Sequence, residues 1–247
     1  HIGYFYKETE CILQYMPENT LPSFRKAVEL GADGIELDIQ LSKDGEIVVC
    51  HDEMVDRTSN AKGWLKDYTL AELKEMDFSY QFKELGKVSI PTMKEVFELL
   101  KPTNLIINIE LKTGIFDYEG IEEKIIALTH AEGFEDRVIY SSFNHYSIMK
   151  IQELDPNAKT AFLYSDGPLD MPLYGYEHHV NALHPAAYNL RLPDFMEECN
   201  VYHLDVNVWT VNTEEIALMC LKYGVNTLIT NYPDRIKKVI EQYETGI

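Results

Sequence analysis

Short runs of β-branched and aliphatic residues alternate along the chain with longer segments whose apolar residues recur at helical spacing. Such alternation is the mark of βα units and a parallel sheet. It predicts strands over 34–42, 104–112, 138–143, 160–164, 182–185, 205–210 and 227–230. The run Leu105-Ile106-Ile107 with Ile109 is nearly continuous in apolar residues, as a parallel strand covered on both faces should be. Helices are predicted over 21–30, 70–76, 93–100, 120–131, 146–154, 192–199, 214–223 and 233–243. In the first of them Thr20 supplies an N-cap, Pro22 sits in the first turn and Gly31 ends it.

Seven parallel strands are one short of a closed eight-stranded barrel. Because 21–30 already reads as the helix after strand 1, the expectation is an α/β fold of the TIM-type (β/α)8 kind, with strand 1 largely upstream of His1. The 247 residues suit such a barrel, which usually needs about 250. No Gly/Ser/Pro-rich linker divides them, so one domain over 1–247 is expected, with a short insertion at about 45–91. Within that insertion 47–50 reads as a short strand leading into His51-Asp52. The aromatic stretch from Gly3 to Pro17, with Tyr4, Phe5, Tyr6 and Tyr15, reads as a loop packed over the barrel edge.

Charge narrows the partners. A net charge of −19 repels nucleic acid and a bare anionic membrane. It leaves room for a small anionic substrate, because a bound divalent cation reverses the field inside a cleft. None of the four cysteines lies in a CxxC pair, and Cys50 reads as a small core residue. Free thiols suit a reducing compartment, so a cytoplasmic location is expected, with secretion the alternative if an upstream leader was removed. No uninterrupted apolar run approaches the roughly 18 residues of a transmembrane helix.

Barrel chemistry is built at the C-terminal ends of the strands. Glu36 and Asp38 are two apart on a strand and share a face; Glu110 and Lys112 repeat the pattern on the next. Three carboxylates at one barrel mouth form a hard oxygen site suited to Mg²⁺ or Ca²⁺ and not to zinc. The structural alternative is a buried ion-pair network with Lys112 or Lys43. His51 opens the pair His51-Asp52 after an apolar strand, and with His1 it supplies two imidazoles able to act as base and acid. The neighbouring His178 and His179 point apart on most backbones and read as no metal pair. His184 ends a strand, a pocket-lining position, although an ordinary structural place is the preferred reading; Tyr164, Asn144 and Asn212 occupy similar positions without a defined role. Ile216, Met219 and Cys220 read as one buried helix face.

In order along the chain stand Pro17-Glu18-Asn19-Thr20, Gly31-Ala32-Asp33, Glu36-Leu37-Asp38, Lys43-Asp44-Gly45, His51-Asp52 and Arg57-Thr58. Ile90-Pro91-Thr92, Glu110-Leu111-Lys112, Trp209-Thr210-Val211-Asn212 and Thr230-Asn231-Tyr232-Pro233 follow. In this order and spacing the motifs resemble the glycerophosphodiester phosphodiesterase family over nearly the whole chain. The resemblance implies a TIM barrel that uses a divalent metal to cleave small-molecule glycerophosphodiesters to glycerol phosphate and an alcohol. It implies Glu36, Asp38 and Glu110 as metal ligands and His51 as one catalytic histidine. His1 and Gly3 match the His and Gly of a His-Arg-Gly motif, which makes His1 the other. Lys112 matches a phosphate-facing lysine and Trp209 an aromatic wall on the glycerol moiety. Ile2 stands where the family has Arg, so a guanidinium that forks onto phosphate is replaced by an aliphatic side chain. Two alternatives remain: a lipid-directed phospholipase D-type enzyme of the same superfamily, and a catalytically silent barrel that binds phosphodiesters.

Overall fold

The computed structural model describes residues 3–6 by their backbone and residues 15–246 in full. Its strands are β1 (Gly3–Tyr6), β2 (Gly34–Leu41), β3 (Ile47–Val49), β4 (Ile106–Leu111), β5 (Val138–Ser142), β6 (Lys159–Tyr164), β7 (Ala182–Pro185), β8 (Asp205–Val208) and β9 (Thr227–Thr230). All but β3 are parallel. They follow one another as β2, β4, β5, β6, β7, β8 and β9, and β1 bridges β9 and β2 to close the ring. This is an eight-stranded βα barrel of the TIM type.

The seven strands expected from the sequence are present, each within about two residues of its predicted limits. The eighth is a correction. Strand 1 was expected upstream of His1, with 3–17 a loop; instead Gly3–Tyr6 pairs with Thr227–Thr230 on one side and Gly34-Ile35 on the other. The reason is physical: Tyr-Phe-Tyr is a run of strong β-formers, and two parallel edges offer it a full set of ladder partners. His1, Ile2 and Cys11 lie outside the described residues.

The helices are α1 (Leu21–Glu29), α2 (Leu70–Glu75), α3 (Met93–Leu100), α4 (Ile121–Glu132), α5 (His145–Leu154), α6 (Met171–Glu177), α7 (Phe195–Val201), α8 (Glu214–Tyr223) and α9 (Pro233–Thr245). Capping decides where several begin. Thr20, Thr69 and Thr92 each accept from the backbone three residues on, and the residue there bonds back to the cap. Gly31, at φ +74°, ends the first helix in the left-handed region as expected. The helix expected at 192–199 starts at Phe195, because residues 187–191 form a separate 3-10 turn.

Each strand divides its residues between two environments. Ile35, Leu37, Ile39, Ile107, Ile109, Leu183, Val206 and Val208 join the helices in one continuous apolar shell, which includes the stacked rings of Phe97 and Phe134. By alternation Glu36, Asp38, Asn108, Glu110, Ser141, His184 and Asn207 face the barrel axis, and all are buried. The axis is thus polar where barrels commonly pack branched aliphatics.

β3 doubles back antiparallel on β2, with Ile39 opposite Val49 and Leu41 opposite Ile47, after a turn in which Gly45 takes φ +81°. It occupies the edge of β2 beyond the point where β1 leaves it. The excursion that follows has its own small core of Val48, Cys50, Val55, Leu65, Leu73, Met76, Phe78 and Ile90. Among the described residues no helix is long and apolar enough to cross a membrane.

Phe97 is fully buried and its ring lies 4.5 Å from that of Phe134. Phe97→Ala should therefore cost about 3–5 kcal/mol, read as a lower urea midpoint at unchanged slope.

Candidate active site

β2 and β4 are adjacent, and their register sets Asp38 opposite Glu110. Glu36, Asp38 and Glu110 consequently meet at one end of the barrel, with one carboxylate oxygen from each lying within 4.8 Å of the others. All three are at most 3% exposed. Lys112 comes directly after β4; its ammonium donates to Glu110 Oε1 at 3.1 Å and lies 3.9 Å from Asp38 Oδ1. One lysine offsets at most one of three negative charges. Oxygen donors gathered this closely could hold a hard divalent cation.

Asp38 is also held from the chain segment before α1. Asn19 donates from Nδ2 to Asp38 Oδ2 at 2.9 Å, while its Oδ1 accepts from the Asp38 backbone N–H at 3.3 Å. The paired contacts clamp Asn19 at φ +52°, a region that Asn tolerates better than most residues.

His51 follows β3 at the same mouth, with about a quarter of its side chain exposed. Its Nδ1 donates to Asp52 Oδ1 at 2.7 Å, which leaves Nε2 for other chemistry. Burial disfavours its cationic form, yet the Asp38 carboxylate and the bond to Asp52 outweigh this and lift its pKa above that of a free imidazole. Lys112 and Glu110 act on it as well, with opposite signs. His51 therefore belongs to the same electrostatic unit as the carboxylates.

Asp52 is anchored in turn by Arg57, whose Nε donates to Oδ2 at 2.7 Å and whose Nη2 donates to Oδ1 at 3.0 Å. The far edge of that guanidinium grips both oxygens of the half-buried Glu18. The backbone around His51 has a separate anchor. Gln40, two beyond Asp38 on β2, donates to the carbonyls of Cys50 and Asp52 at 2.8 Å each, and accepts from the Tyr118 hydroxyl at 2.8 Å.

Trp209 follows β8, and its indole N–H donates to the His184 carbonyl at 2.8 Å. Its ring meets Phe143, at the end of β5, edge to face at 5.6 Å, so one aromatic pair reaches across the mouth. The interior His184 is buried, with Nε2 2.8 Å from the Asn207 amide. Of the residues singled out from sequence, the structure brings together Glu36, Asp38, Glu110, Lys112 and His51. Trp209 stands at the same end of the barrel, and His1 lies outside the described residues.

The glycerophosphoryl diester phosphodiesterase family matches residues 13–235. The chain belongs to that family. Within it, the chain is 42% identical over 228 residues to the glycerophosphodiester phosphodiesterase of Caldanaerobacter subterraneus subsp. tengcongensis, covering 92% of this chain and 93% of the other. Over 232 residues it is 41% identical to that of Bacillus altitudinis, covering 92% and 94%. A phosphodiesterase from Oleispira antarctica, solved with the product sn-glycerol-3-phosphate, superposes with a TM-score of 0.84 at 26% identity, covering 97% of this chain and 96% of that one. The glycerophosphoryl diester phosphodiesterase assignment thus rests on sequence and fold together, and the chain is an enzyme of this family.

Sequence reasoning missed Gln40 and Tyr118 at this site, and it quoted Glu18, Asn19 and Arg57 as motif residues without giving them a task. Gln40 carried a usable signal, since it continues the Glu36–Asp38 face of β2.

Burial pushes the Asp52 carboxyl up, but the bonds from His51 and Arg57 prevail and hold its pKa well below the carboxylate range. A carboxylate depressed in the folded state stabilises above its ordinary pKa and loses that contribution as pH falls toward the folded value. The gap in urea midpoint between wild type and Asp52→Asn should therefore be widest near pH 7 and narrow as pH falls below about 4.

Proposed function

We propose that this enzyme hydrolyses glycerophosphodiesters to glycerol phosphate and an alcohol, with Glu36, Asp38 and Glu110 holding Mg²⁺ or Ca²⁺. The observation that carries the reading is the convergence of three buried carboxylates with Lys112 and His51 at one barrel mouth. When bound, such a cation offsets the negative charge of the phosphodiester and polarises a phosphate oxygen. Lys112 adds a fixed positive charge that stabilises the oxygens as negative charge builds in the transition state. His51 exchanges a proton through Nε2, with the nucleophile or with the leaving alcohol. By its match to the motif, His1 is the partner that handles the other proton. Trp209, with Phe143 against it, forms an apolar wall for the glycerol carbons.

One observation favours a second reading, in which the diester carries an acyl chain. Several exposed apolar side chains follow consecutive strands at the same mouth: Ile115 after β4, Phe143 and Tyr146 after β5, and Leu169 after β6. Leu169 is 90% and Tyr146 87% exposed. The net charge of −19 disfavours an anionic bilayer, so this reading takes a single-chain zwitterionic lipid as substrate.

Release of glycerol phosphate from glycerophosphocholine should require Mg²⁺ or Ca²⁺ and stop with EDTA. His51→Ala should lower kcat by about 10²- to 10⁴-fold with metal affinity unchanged, whereas Asp38→Asn should weaken the metal itself. Full turnover in EDTA would exclude the metal role, and an active His51→Ala would exclude His51. Lysophosphatidylcholine cleaved with higher kcat/KM than glycerophosphocholine, and an advantage lost in Leu169→Ser, would select the lipid reading.

A further inference from the structure

Four charged side chains run in series from the segment before α1 to the catalytic histidine: Glu18, Arg57, Asp52, His51. They join two parts of the chain 39 residues apart. Each bond is between charged or chargeable partners, and Glu18 at the far end is only 7% exposed. Isolated surface ion pairs contribute little; this set is partly buried, bidentate at both edges of the guanidinium and centred on one residue.

From this geometry we infer that Glu18 and Arg57 are positioning residues for the reaction, and that they act through His51. The inference rests on the catalytic role proposed for His51 above. The carboxylate of Asp52 alone cannot set the imidazole, because it is free to turn about its own side-chain bonds. Arg57 removes that freedom by donating to both Asp52 oxygens, Nε to one and Nη2 to the other. Glu18 removes the freedom of Arg57 by accepting from Nη1 and Nη2 on the opposite edge. The planar guanidinium is what makes the series rigid: its in-plane donors serve two carboxylates at once. An ammonium keeps the charge but has no such fork. With Asp52 locked, Nδ1–H of His51 has one acceptor, and the ring holds Nε2 toward the site with a single tautomer when neutral. Gln40 holds the backbone on either side of His51 independently, through the carbonyls of Cys50 and Asp52.

The test compares Arg57→Lys, Glu18→Gln, His51→Ala and the double variant His51→Ala/Arg57→Lys in the full chain. It uses glycerophosphocholine with saturating Mg²⁺. Arg57→Lys should lower kcat by about 10- to 100-fold, the range for losing a group that orients a catalytic ligand, with KM unchanged within about twofold. Glu18→Gln, which keeps the Asp52 fork, should lose less. In the His51→Ala background Arg57→Lys should have no further effect, since the residue it orients is gone. A second readout needs no turnover: ¹⁵N shifts of the His51 ring should show one Nδ1–H tautomer in the wild type and a mixture in Arg57→Lys. Wild-type kcat and an unchanged ring in Arg57→Lys would overturn the inference. So would the same fold-loss from Arg57→Lys with or without His51, which means a role independent of that histidine. If His51→Ala itself retains activity, the catalytic role of His51 fails instead, and the ring shifts still decide whether Arg57 sets it.

Discussion

Three carboxylates held within 4.8 Å of one another, each almost completely buried, repel one another and resist leaving water. The mouth of the barrel is arranged around that constraint. Parallel pairing of β2 and β4 forces the approach, because alternation along each strand leaves Glu36, Asp38 and Glu110 nowhere else to point. Lys112 enters from the same face of β4, and Asn19 steadies Asp38 from outside the sheet. The apolar shell of Ile, Leu, Val and Phe on the helix side supplies the hydrophobic driving force that makes this unfavourable gathering affordable.

Much of this was legible in the chain. Parallel strands buried on both faces betray themselves as apolar runs, and the carboxylates stand out by interrupting such runs at a spacing of two. Glu36, Asp38, Glu110 and Lys112 could therefore be picked out before any coordinates, and His51 by its place after a strand. The supporting groups were harder to see, because their partners are distant in sequence. Gln40 meets Tyr118 across 78 residues and Arg57 meets Glu18 across 39, and no local pattern announces either pairing.

Two elements escaped for local reasons. Helix α6 carries Gly175, a poor helix former, in its interior and spans only seven residues; burial of Met171, Pro172 and Gly175 outweighs that preference. β1 was read as loop because its four residues alone carry too little periodicity to announce a strand. Its partners, Thr227–Thr230, lie at the other end of the chain, and closure of the ring is a property of the whole sheet.

His51 does not belong to the barrel wall; it rides on the β3 excursion, which is built around a separate cluster of eight buried apolar residues. Two parts of the machinery therefore have different foundations. The carboxylates are set by the closed sheet, while the imidazole is set by a smaller cluster, and local stability differs between such units. Loosening of that cluster displaces the imidazole while the three carboxylates stay assembled. Substitutions confined to the appendage core likewise reach His51 without touching Glu36, Asp38 or Glu110.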